Sequence, residues 1–287
     1  MNGLLTRLKK TPGVSRIAGI YRGFKFLKRA MRLRKILAKI DSKMPFDGPL
    51  GSLGYDMFCL SDQVIKSLKK MAVKNGVTAG ERYFPVHLTA ADKAAIEELF
   101  DNISPSVRAY LGREAYLDGL NWLVSDENEK SISESWHTDN VGNRIKVFVC
   151  VSGDRSQPTY IIPSTNRIPS WHEWFFMTFS EVKRWLGFNN HMSMKGECKL
   201  EHETGTVYIF DTQLLHRGSY GTATSKRVIL HMEFSVLDKH EISRGPIGTQ
   251  AINTFKFSKS LLEIPSFVAL LDTNRIKQTK SYLLYAK

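Results

Sequence analysis

Short segments with the character of β-strands dominate the second half of the chain. Six runs, rich in β-branched and aromatic residues and bounded by Gly, Asn, Asp, Ser or Pro, follow one another between residues 119 and 236. Such runs are typical of strands, and six in close succession predict a β-barrel or a double-sheet jelly roll. The runs are GLNWLVSD, SESWHTD, NRIKVFVCVS, PTYIIP, GTVYIFD and SKRVILHMEFSV.

Helical periodicity characterises the region before these strands. Apolar residues three and four positions apart predict helices over residues 61–75 and 89–100, with Ser61 and Thr89 as N-cap residues. Residues 43–60 are rich in Gly and Pro and are expected to form a linker or an irregular arm.

An aromatic-dense stretch, residues 170–188, interrupts the strand pattern and is predicted to be a helical insert. Its Trp and Phe side chains are expected in core or lid packing rather than in a substrate platform. The pattern therefore predicts a mainly β protein with flanking helices, built on a jelly-roll core with an α-rich N-terminal part. We expect a basic N-terminal segment (1–42), a helical support region (43–118), a jelly-roll core (119–240) and a C-terminal extension (241–287).

The charge is concentrated at the N-terminus. The chain has a formal net charge of +13, from 41 Lys and Arg against 28 Asp and Glu. Residues 1–40 contain twelve of the basic residues and no acid, so the remaining 29 basic residues nearly balance the acids. The body of the protein is therefore almost neutral.

Residues 15–40 also carry an apolar helical stripe, which predicts an amphipathic basic helix. The favoured interpretation is contact with an anionic membrane surface. A helix packed on the body with a solvated basic rim, a nucleic-acid contact and an organelle transit peptide remain open. The stripe begins with Ile17, Ile20, Tyr21, Phe24, Leu27 and Met31.

Composition excludes several classes of protein. A hydrophobic content of 42% argues against disorder, and no uncharged apolar run approaches the roughly 20 residues of a membrane-spanning helix. The N-terminus lacks the continuous apolar region of a secretory signal. Cys59, Cys150 and Cys198 are odd in number and unpatterned, which fits a reducing compartment. We therefore expect a cytoplasmic protein, or one held peripherally on the inner face of a membrane.

Three short features carry the candidate chemistry. SESWHTD contains His137 and Asp139, His216 follows the GTVYIFD run, and Arg227 opens the last run. Residues two apart in a strand share a face, so His137 and Asp139 can point into one cavity. A histidine from another strand would complete two imidazoles and one carboxylate, the ligand set of non-haem Fe(II) oxygenases. Arg227 would offer a guanidinium fork suited to a carboxylate.

At these residues the sequence resembles the Fe(II)/2-oxoglutarate dioxygenase superfamily, and within it the phytanoyl-CoA dioxygenase-like family. The resemblance covers about residues 119–236 and rests on Trp136-His137-Thr138-Asp139, the Gly-x4-Phe-Asp-x4-His run from Gly205 to His216, and the interval of eleven residues to Arg227. It implies a double-stranded β-helix in which His137, Asp139 and His216 bind Fe(II) and Arg227 binds 2-oxoglutarate. The implied reaction is an O2-dependent hydroxylation.

Strand alternation would turn Lys146, Phe148 and Cys150 inward. An inward Lys146 could meet 2-oxoglutarate or an acidic substrate, although a solvated edge lysine is equally compatible with the pattern. His231 and Glu233 share a face with Arg227, and His231 is expected to be a structural histidine. PSTN, residues 163–166, stands where the family often has a Pro-Gly-Ser-His-like turn, and it lacks the Gly and the His.

Two classes of function follow. The first is a hydroxylase acting on a small-molecule, lipid-linked or glycan-linked substrate. The second is a non-enzymatic, cupin-like ligand-binding module tethered to a membrane by its basic N-terminus. A nucleic-acid demethylase of the same superfamily is disfavoured, because those enzymes commonly carry a second Arg six residues after the first, and position 233 is Glu. No residue of the body identifies the substrate.

Overall fold

The computed structural model describes residues 48–78, 82–112, 115–127, 135–139, 144–166, 170–185, 193–219, 225–235, 255–271 and 282–285. The predicted amphipathic helix over residues 15–40 lies outside these ranges. Within them, no helix combines the length and the apolar character needed to cross a membrane.

The helices and strands alternate along the N-terminal half and give way to strands in the second half. The first half contains α1 (Pro49–Ser52), β1 (Tyr55–Cys59), α2 (Asp62–Lys74), β2 (Tyr83–Pro85), β3 (His87–Leu88), a 3-10 turn (Ala90–Asp92) and α3 (Lys93–Leu111). The second half contains β4 (Tyr116–Ser125), β5 (Ile145–Ser152), β6 (Thr159–Ile162), α4 (Trp171–Trp185), β7 (Cys198–Leu200), β8 (Thr206–Asp211), β9 (Leu215–Gly218) and β10 (Arg227–Ser235). The C-terminal part contains β11 (Phe255–Ser258), a 3-10 turn (Lys259–Glu263), α5 (Pro265–Val268) and β12 (Tyr282–Tyr285).

Two antiparallel sheets form the core. The larger has the order β1-β8-β5-β10-β4-β2, and the smaller has the order β7-β6-β9, to which His137 adds an isolated bridge with His216. From β4 onward the chain alternates between the sheets: β4, β5, β8 and β10 belong to the larger sheet, and His137, β6, β7 and β9 to the smaller. This alternation is the topology of a jelly roll. The predicted fold, mainly β with flanking helices, is confirmed.

The larger sheet has two chemically different faces. Its outer face is apolar and shares a core with α2 and α3, through residues such as Leu68 and Leu99. Val147 and Val149 of β5 belong to this outer core, and the residues that alternate with them, Lys146, Phe148 and Cys150, project to the opposite side. The predicted inward orientation of these three side chains is confirmed.

The N-terminal elements differ in part from the prediction. Within residues 43–60, expected to be a linker, β1 pairs antiparallel with β8 at the edge of the larger sheet. Gly54, with φ 83°, makes the turn that leads into it. Ser61 caps α2 by accepting a hydrogen bond from Val64 N at 3.3 Å, as predicted. The N–H of Thr89 donates to Asp92 at 2.7 Å, and the helix that follows continues to Leu111.

The C-terminal part packs on the helical region. Phe267 lies edge-on to Phe100 of α3 with ring centroids 4.9 Å apart, and it contacts Phe257 of β11 in the same way at 5.4 Å. β11 pairs in parallel with β3, and Leu117 N donates to Leu270 O. Residues of the predicted extension such as Phe257 and Phe267 therefore share the outer core, whereas the division of the chain into four regions stays a prediction.

Candidate metal centre

The two histidines of the candidate centre lie side by side because their backbones pair. His137 N donates to His216 O and His216 N donates to His137 O, both at 2.9 Å. On its other side β9 pairs with β6, where Ile161 stands opposite His216. The ring centroids of the two histidines are 4.3 Å apart. The edge of the smaller sheet thus presents two imidazoles in one direction.

Asp139 completes the group. Its N–H donates to Thr212 O at 2.9 Å, which fixes the backbone beyond His137. Its carboxylate oxygens lie 3.3 Å from His137 Nε2 and 3.4 Å from His216 Nε2. The three ligand atoms are all within 4.8 Å of one another. The two distances from Asp139 are close to the separation of about 3.0–3.4 Å expected for neighbouring ligands about 2.0–2.2 Å from one ion. The structure brings together all three predicted ligands.

Both imidazoles are held in the tautomer that binds a metal through Nε2. His137 Nδ1 lies 2.8 Å from Ser135 O, and His216 Nδ1 lies 2.7 Å from Leu214 O. A carbonyl oxygen only accepts, so each Nδ1 carries a proton, and a ring with this single proton presents the lone pair of Nε2. Burial lowers the pKa of His216, and His216 therefore stays neutral. The donor set fits a divalent transition metal.

Lys146 approaches the centre from β5. Its ammonium donates to Asp139 Oδ2 and lies 3.8 Å from Glu233 Oε1. Burial alone would raise the pKa of Asp139, but the Lys146 ammonium holds it well below its usual range. Burial would likewise lower the pKa of Lys146, and the two carboxylates raise it. Both groups are therefore charged, and a contact of Lys146 with 2-oxoglutarate stays a prediction.

Glu233 extends this charged cluster along β10. Arg144 Nη2 donates to one of its carboxylate oxygens, and His231 Nε2 lies 3.5 Å from the other. His231 Nδ1 is 3.2 Å from Asn121 Oδ1, and burial lowers the pKa of His231 to about 4. His231 is thus a buried, neutral histidine on the same face as Arg227, as expected. The predicted site did not include Arg144 or Asn121.

Arg227 occupies the other end of the same strand face. It lies four positions before His231, which corresponds to roughly 13 Å along a strand. Its guanidinium donates to Gln157 O and, at 3.1 Å, to Ser125 Oγ, and its Nε is buried without a hydrogen-bond partner among the described residues. Burial lowers the pKa of Arg227 to about 10, so the group is a buried cation at neutral pH. Within the described ranges, no carboxylate neutralises it.

His202 is a buried histidine near Arg227. Its Nε2 is 2.9 Å from Thr159 Oγ1, whereas its Nδ1 is buried without a hydrogen-bond partner in the described part of the chain. Burial and the nearby Arg227 cation hold the pKa of His202 well below its usual range. Its ring lies 5.8 Å from that of Phe148. No spacing pattern marks His202, because its partners come from distant strands.

A turn between β8 and β9 supports two of the ligands. Asp211 Oδ1 accepts from Gln213 N at 2.7 Å, and Asp211 Oδ2 accepts from the hydroxyl of Tyr110 on α3. Thr212 O, in this turn, holds the backbone of Asp139. Sequence reasoning missed Tyr110, although the Phe-Asp pair of the family motif marks Asp211.

The PSTN turn has a structural role on the opposite side of β9. Thr165 Oγ1 accepts from Leu215 N at 2.9 Å and donates to Ile162 O at 2.6 Å. Asn166 Nδ2 donates to Gly51 O at 3.2 Å. The turn thereby supports the strand that carries His216 without the Gly and His of the family pattern.

α4 covers the smaller sheet beside the ligands, which confirms a helix in the aromatic insert. Met177 on its inner face is fully buried against Trp136 and Leu215, the chain neighbours of His137 and His216. Arg217 stacks between aromatic rings there, 5.0 Å from the Trp136 centroid and 3.8 Å from the Tyr160 centroid. The inner face of the insert packs as expected, and its outer face is exposed.

No protein-family model and no curated protein matches the chain. Among solved structures, it is similar to EctD from S. alaskensis with 2-oxoglutarate and 5-hydroxyectoine, at 14% identity and a TM-score of 0.47, over 69% of this chain and 79% of that one. It is similar to HygX from Streptomyces hygroscopicus with nickel and 2-oxoglutarate bound, at 12% identity and a TM-score of 0.48, over 66% and 84%. For EvdMO1 the identity is 14% and the TM-score 0.45, over 66% of this chain and 48% of that one, so the chain spans about half of that protein. Likeness of this degree assigns neither residue roles nor a reaction to this chain.

Proposed function

We propose that this chain is an Fe(II)- and 2-oxoglutarate-dependent oxygenase. The observation that carries the proposal is the group formed by His137, Asp139 and His216, whose ligand atoms lie within 4.8 Å of one another on one edge of a jelly roll. Two neutral imidazoles and one carboxylate leave several positions of a six-coordinate ion open to other reactants. Both Nε2 atoms are available, because backbone carbonyls hold both Nδ1 protons.

Arg227 is the proposed anchor for the far carboxylate of 2-oxoglutarate. A buried guanidinium without a described acidic partner is unfavourable unless an anion compensates it. Its Nε–H is available for such an anion. His202 Nδ1, buried in the same region, offers a second polar contact.

The protein's own side chains prepare the reaction by position and charge. Bound iron and 2-oxoglutarate supply oxidising chemistry in which O2 is consumed, 2-oxoglutarate becomes succinate and CO2, and one oxygen atom enters the substrate. Lys146 keeps the Asp139 carboxylate ionised and oriented. The rings of Phe148 and Phe210, 5.1 Å apart on the inner face beside His216, would limit the access of water to the centre.

The finer proposal is hydroxylation of an unactivated C–H bond in a small-molecule, lipid-linked or glycan-linked substrate. The charged pair Lys146 and Glu233 beside the centre supports a substrate that carries a polar group, since an apolar one would leave these charges without solvation. Placement in the phytanoyl-CoA dioxygenase-like family rests on the spacing of the motifs alone.

The test is 2-oxoglutarate turnover with Fe(II), read as succinate, in the presence of pooled lipid-linked glycans, acyl thioesters and amino acids. We expect turnover by the wild type and none after His137→Ala, Asp139→Ala or His216→Ala. Calorimetry with Ni(II) gives a second readout, in which each variant should lose at least about 100-fold in affinity, since even the partners of ligands contribute 10–100-fold.

His87→Ala is the matched control, because His87 lies on β3, outside both sheets of the jelly roll. Arg227→Gln should preserve Ni(II) affinity and raise the KM for 2-oxoglutarate. If the wild type bound Ni(II) but turned over no 2-oxoglutarate with any substrate pool, the result would contradict an oxygenase and favour a cupin-like binding module.

A further inference from the structure

The outer face of α4 exposes a line of large aromatic side chains. Trp171, Phe175 and Phe179 are 54%, 69% and 47% exposed. They are spaced by four residues, so they lie along one side of the helix. Lys183 continues the line, with its ammonium 5.3 Å from the centroid of the Phe179 ring. We call these four residues the aromatic face of α4.

A row of large aromatic side chains exposed to water is unfavourable. Contiguous apolar surface of this kind is therefore uncommon on soluble proteins, and it marks a site of contact with a partner or a membrane. Trp and Phe on one face, ended by Lys, are the side chains that helices use at the boundary between lipid headgroups and acyl chains. The aromatic rings are buried among the acyl chains, while the lysine ammonium remains at the level of the headgroups.

The rest of the chain supplies the matching charge. Residues 1–40 contain twelve Lys and Arg and no acid, whereas the remainder is nearly neutral. Basic residues in this density are attracted to anionic lipids, and the attraction is sequence-independent. An anionic surface is therefore the partner that both the apolar face and the surplus charge fit.

We propose that the aromatic face of α4 inserts into the headgroup region of an anionic phospholipid bilayer, with residues 1–40 adding electrostatic attraction. The opposite side of α4 packs through Met177 on Trp136 and Leu215. One helix diameter, about 10 Å, therefore separates the proposed membrane contact from the chain neighbours of the metal ligands. The proposal does not depend on the oxygenase reaction.

The experiment is co-sedimentation of the full chain with phosphatidylcholine vesicles, with and without phosphatidylserine. We expect binding to the anionic vesicles and an apparent affinity at least about tenfold lower for the triple variant Trp171→Ser, Phe175→Ser, Phe179→Ser, because each aromatic group removed from lipid forfeits apolar burial. The single variant Phe175→Ser should show a smaller loss in the same direction. Brominated lipids should quench the tryptophan fluorescence of the wild type more strongly than that of Trp171→Phe.

Met57→Ser and Val73→Ser are the matched controls, because both residues are exposed and apolar, at 53% and 79%, but lie on β1 and α2. Both controls should bind as the wild type does. All variants should keep the Ni(II) affinity of the wild type, which shows that they are folded.

Equal vesicle binding by the triple variant and the wild type would overturn the proposal. A second result would also overturn it: a wild type that is dimeric and a triple variant that is monomeric in sedimentation equilibrium, with vesicle binding unchanged. The aromatic face of α4 would then join two copies of the chain.

Discussion

At the scale of the residue, a buried ion pair of the metal centre joins Lys146 and Asp139. Side chains of both are largely buried, at 17% and 21% exposure. A buried carboxylate that lost its cation would be strongly destabilised, whereas a cation beside a metal ion opposes binding of that ion. Lys146 therefore affects folding and metal affinity in opposite directions.

Lys146→Met separates these two effects, because it keeps the length of the side chain and removes the charge. The free energy of unfolding of the metal-free protein should fall by about 2–4 kcal/mol, since Asp139 and Glu233 lose a buried partner. The affinity for Ni(II) should rise at least about tenfold, because one positive charge near a dication costs more than ~1.4 kcal/mol even at an effective dielectric of about 20.

Urea unfolding in chelator and calorimetry with Ni(II) measure the two quantities. Lys146→Arg, which keeps the charge, should bind Ni(II) as the wild type does. Weaker Ni(II) binding by Lys146→Met would show that Lys146 acts chiefly by orienting Asp139.

At the scale of the element, the turn between β8 and β9 joins the two sheets at the ligands. Asp211 ends β8, and its carboxylate holds the turn through Gln213 N and ties it to α3 through Tyr110. Thr212 O in the turn holds Asp139, and β9 follows with His216. A helix outside the jelly roll thus supports the position of two ligands.

Tyr110→Phe should lower the free energy of unfolding by about 1.5–3 kcal/mol, the range for a hydrogen bond to a charged group. Ni(II) affinity should fall severalfold, because the turn that holds Asp139 loses one support. Urea denaturation and calorimetry provide both values.

Tyr83→Phe serves as the control, because Tyr83 is 44% exposed on β2, and it should change stability by less than about 0.5 kcal/mol. Wild-type Ni(II) affinity in Tyr110→Phe would show that the turn holds its shape without α3.

A strand can be predicted from the sequence when the pattern of its own residues is enough to indicate an extended conformation. In β5, alternate residues such as Val147 and Val149 are buried in the outer core. The β-branched residues of IKVFVCVS indicate this strand in the sequence. β9 has four residues, and it forms because β6 and Thr165 bind its backbone. β1 pairs with β8, about 150 positions later, and nothing local to it specifies that partner.

The same distinction applies to the site. The spacing of three residues along the chain predicted the metal ligands, and the structure brings these residues together: His137, Asp139 and His216. The pair of Arg144 and Glu233 joins residues 89 positions apart, and the contact of His202 with Thr159 joins residues 43 apart. Such contacts depend on the register of the strands, which the spacing of residues along the chain does not determine.

At the scale of the whole molecule, one outer core connects the helical region, the larger sheet and the C-terminal part. Phe257, Phe267 and Leu270 are fully buried in the same cluster as Phe100 of α3 and Leu117 of β4. A change in the C-terminal part should therefore affect the metal centre through shared stability, although no ligand lies there.

Phe267→Ala should cost about 3–5 kcal/mol, because it removes a buried ring from contacts with two other rings. We expect a single unfolding transition in which tryptophan fluorescence and Ni(II)-dependent stabilisation are lost together. Leu262→Ala, at a position 41% exposed, should be nearly neutral. A separate early transition that left Ni(II) stabilisation unchanged would show that the C-terminal part folds independently.

The short strands at the two borders of the larger sheet have a consequence for solubility. Unpaired backbone groups on a sheet edge are templates on which another molecule can add a strand and begin aggregation. In the described part of the chain, the borders are β1, with five residues, and β2, with three residues ending in Pro85. Proline lacks the N–H that a neighbouring strand would bind. Among the described residues, the β2 border of the larger sheet therefore offers few backbone groups on which another strand could add.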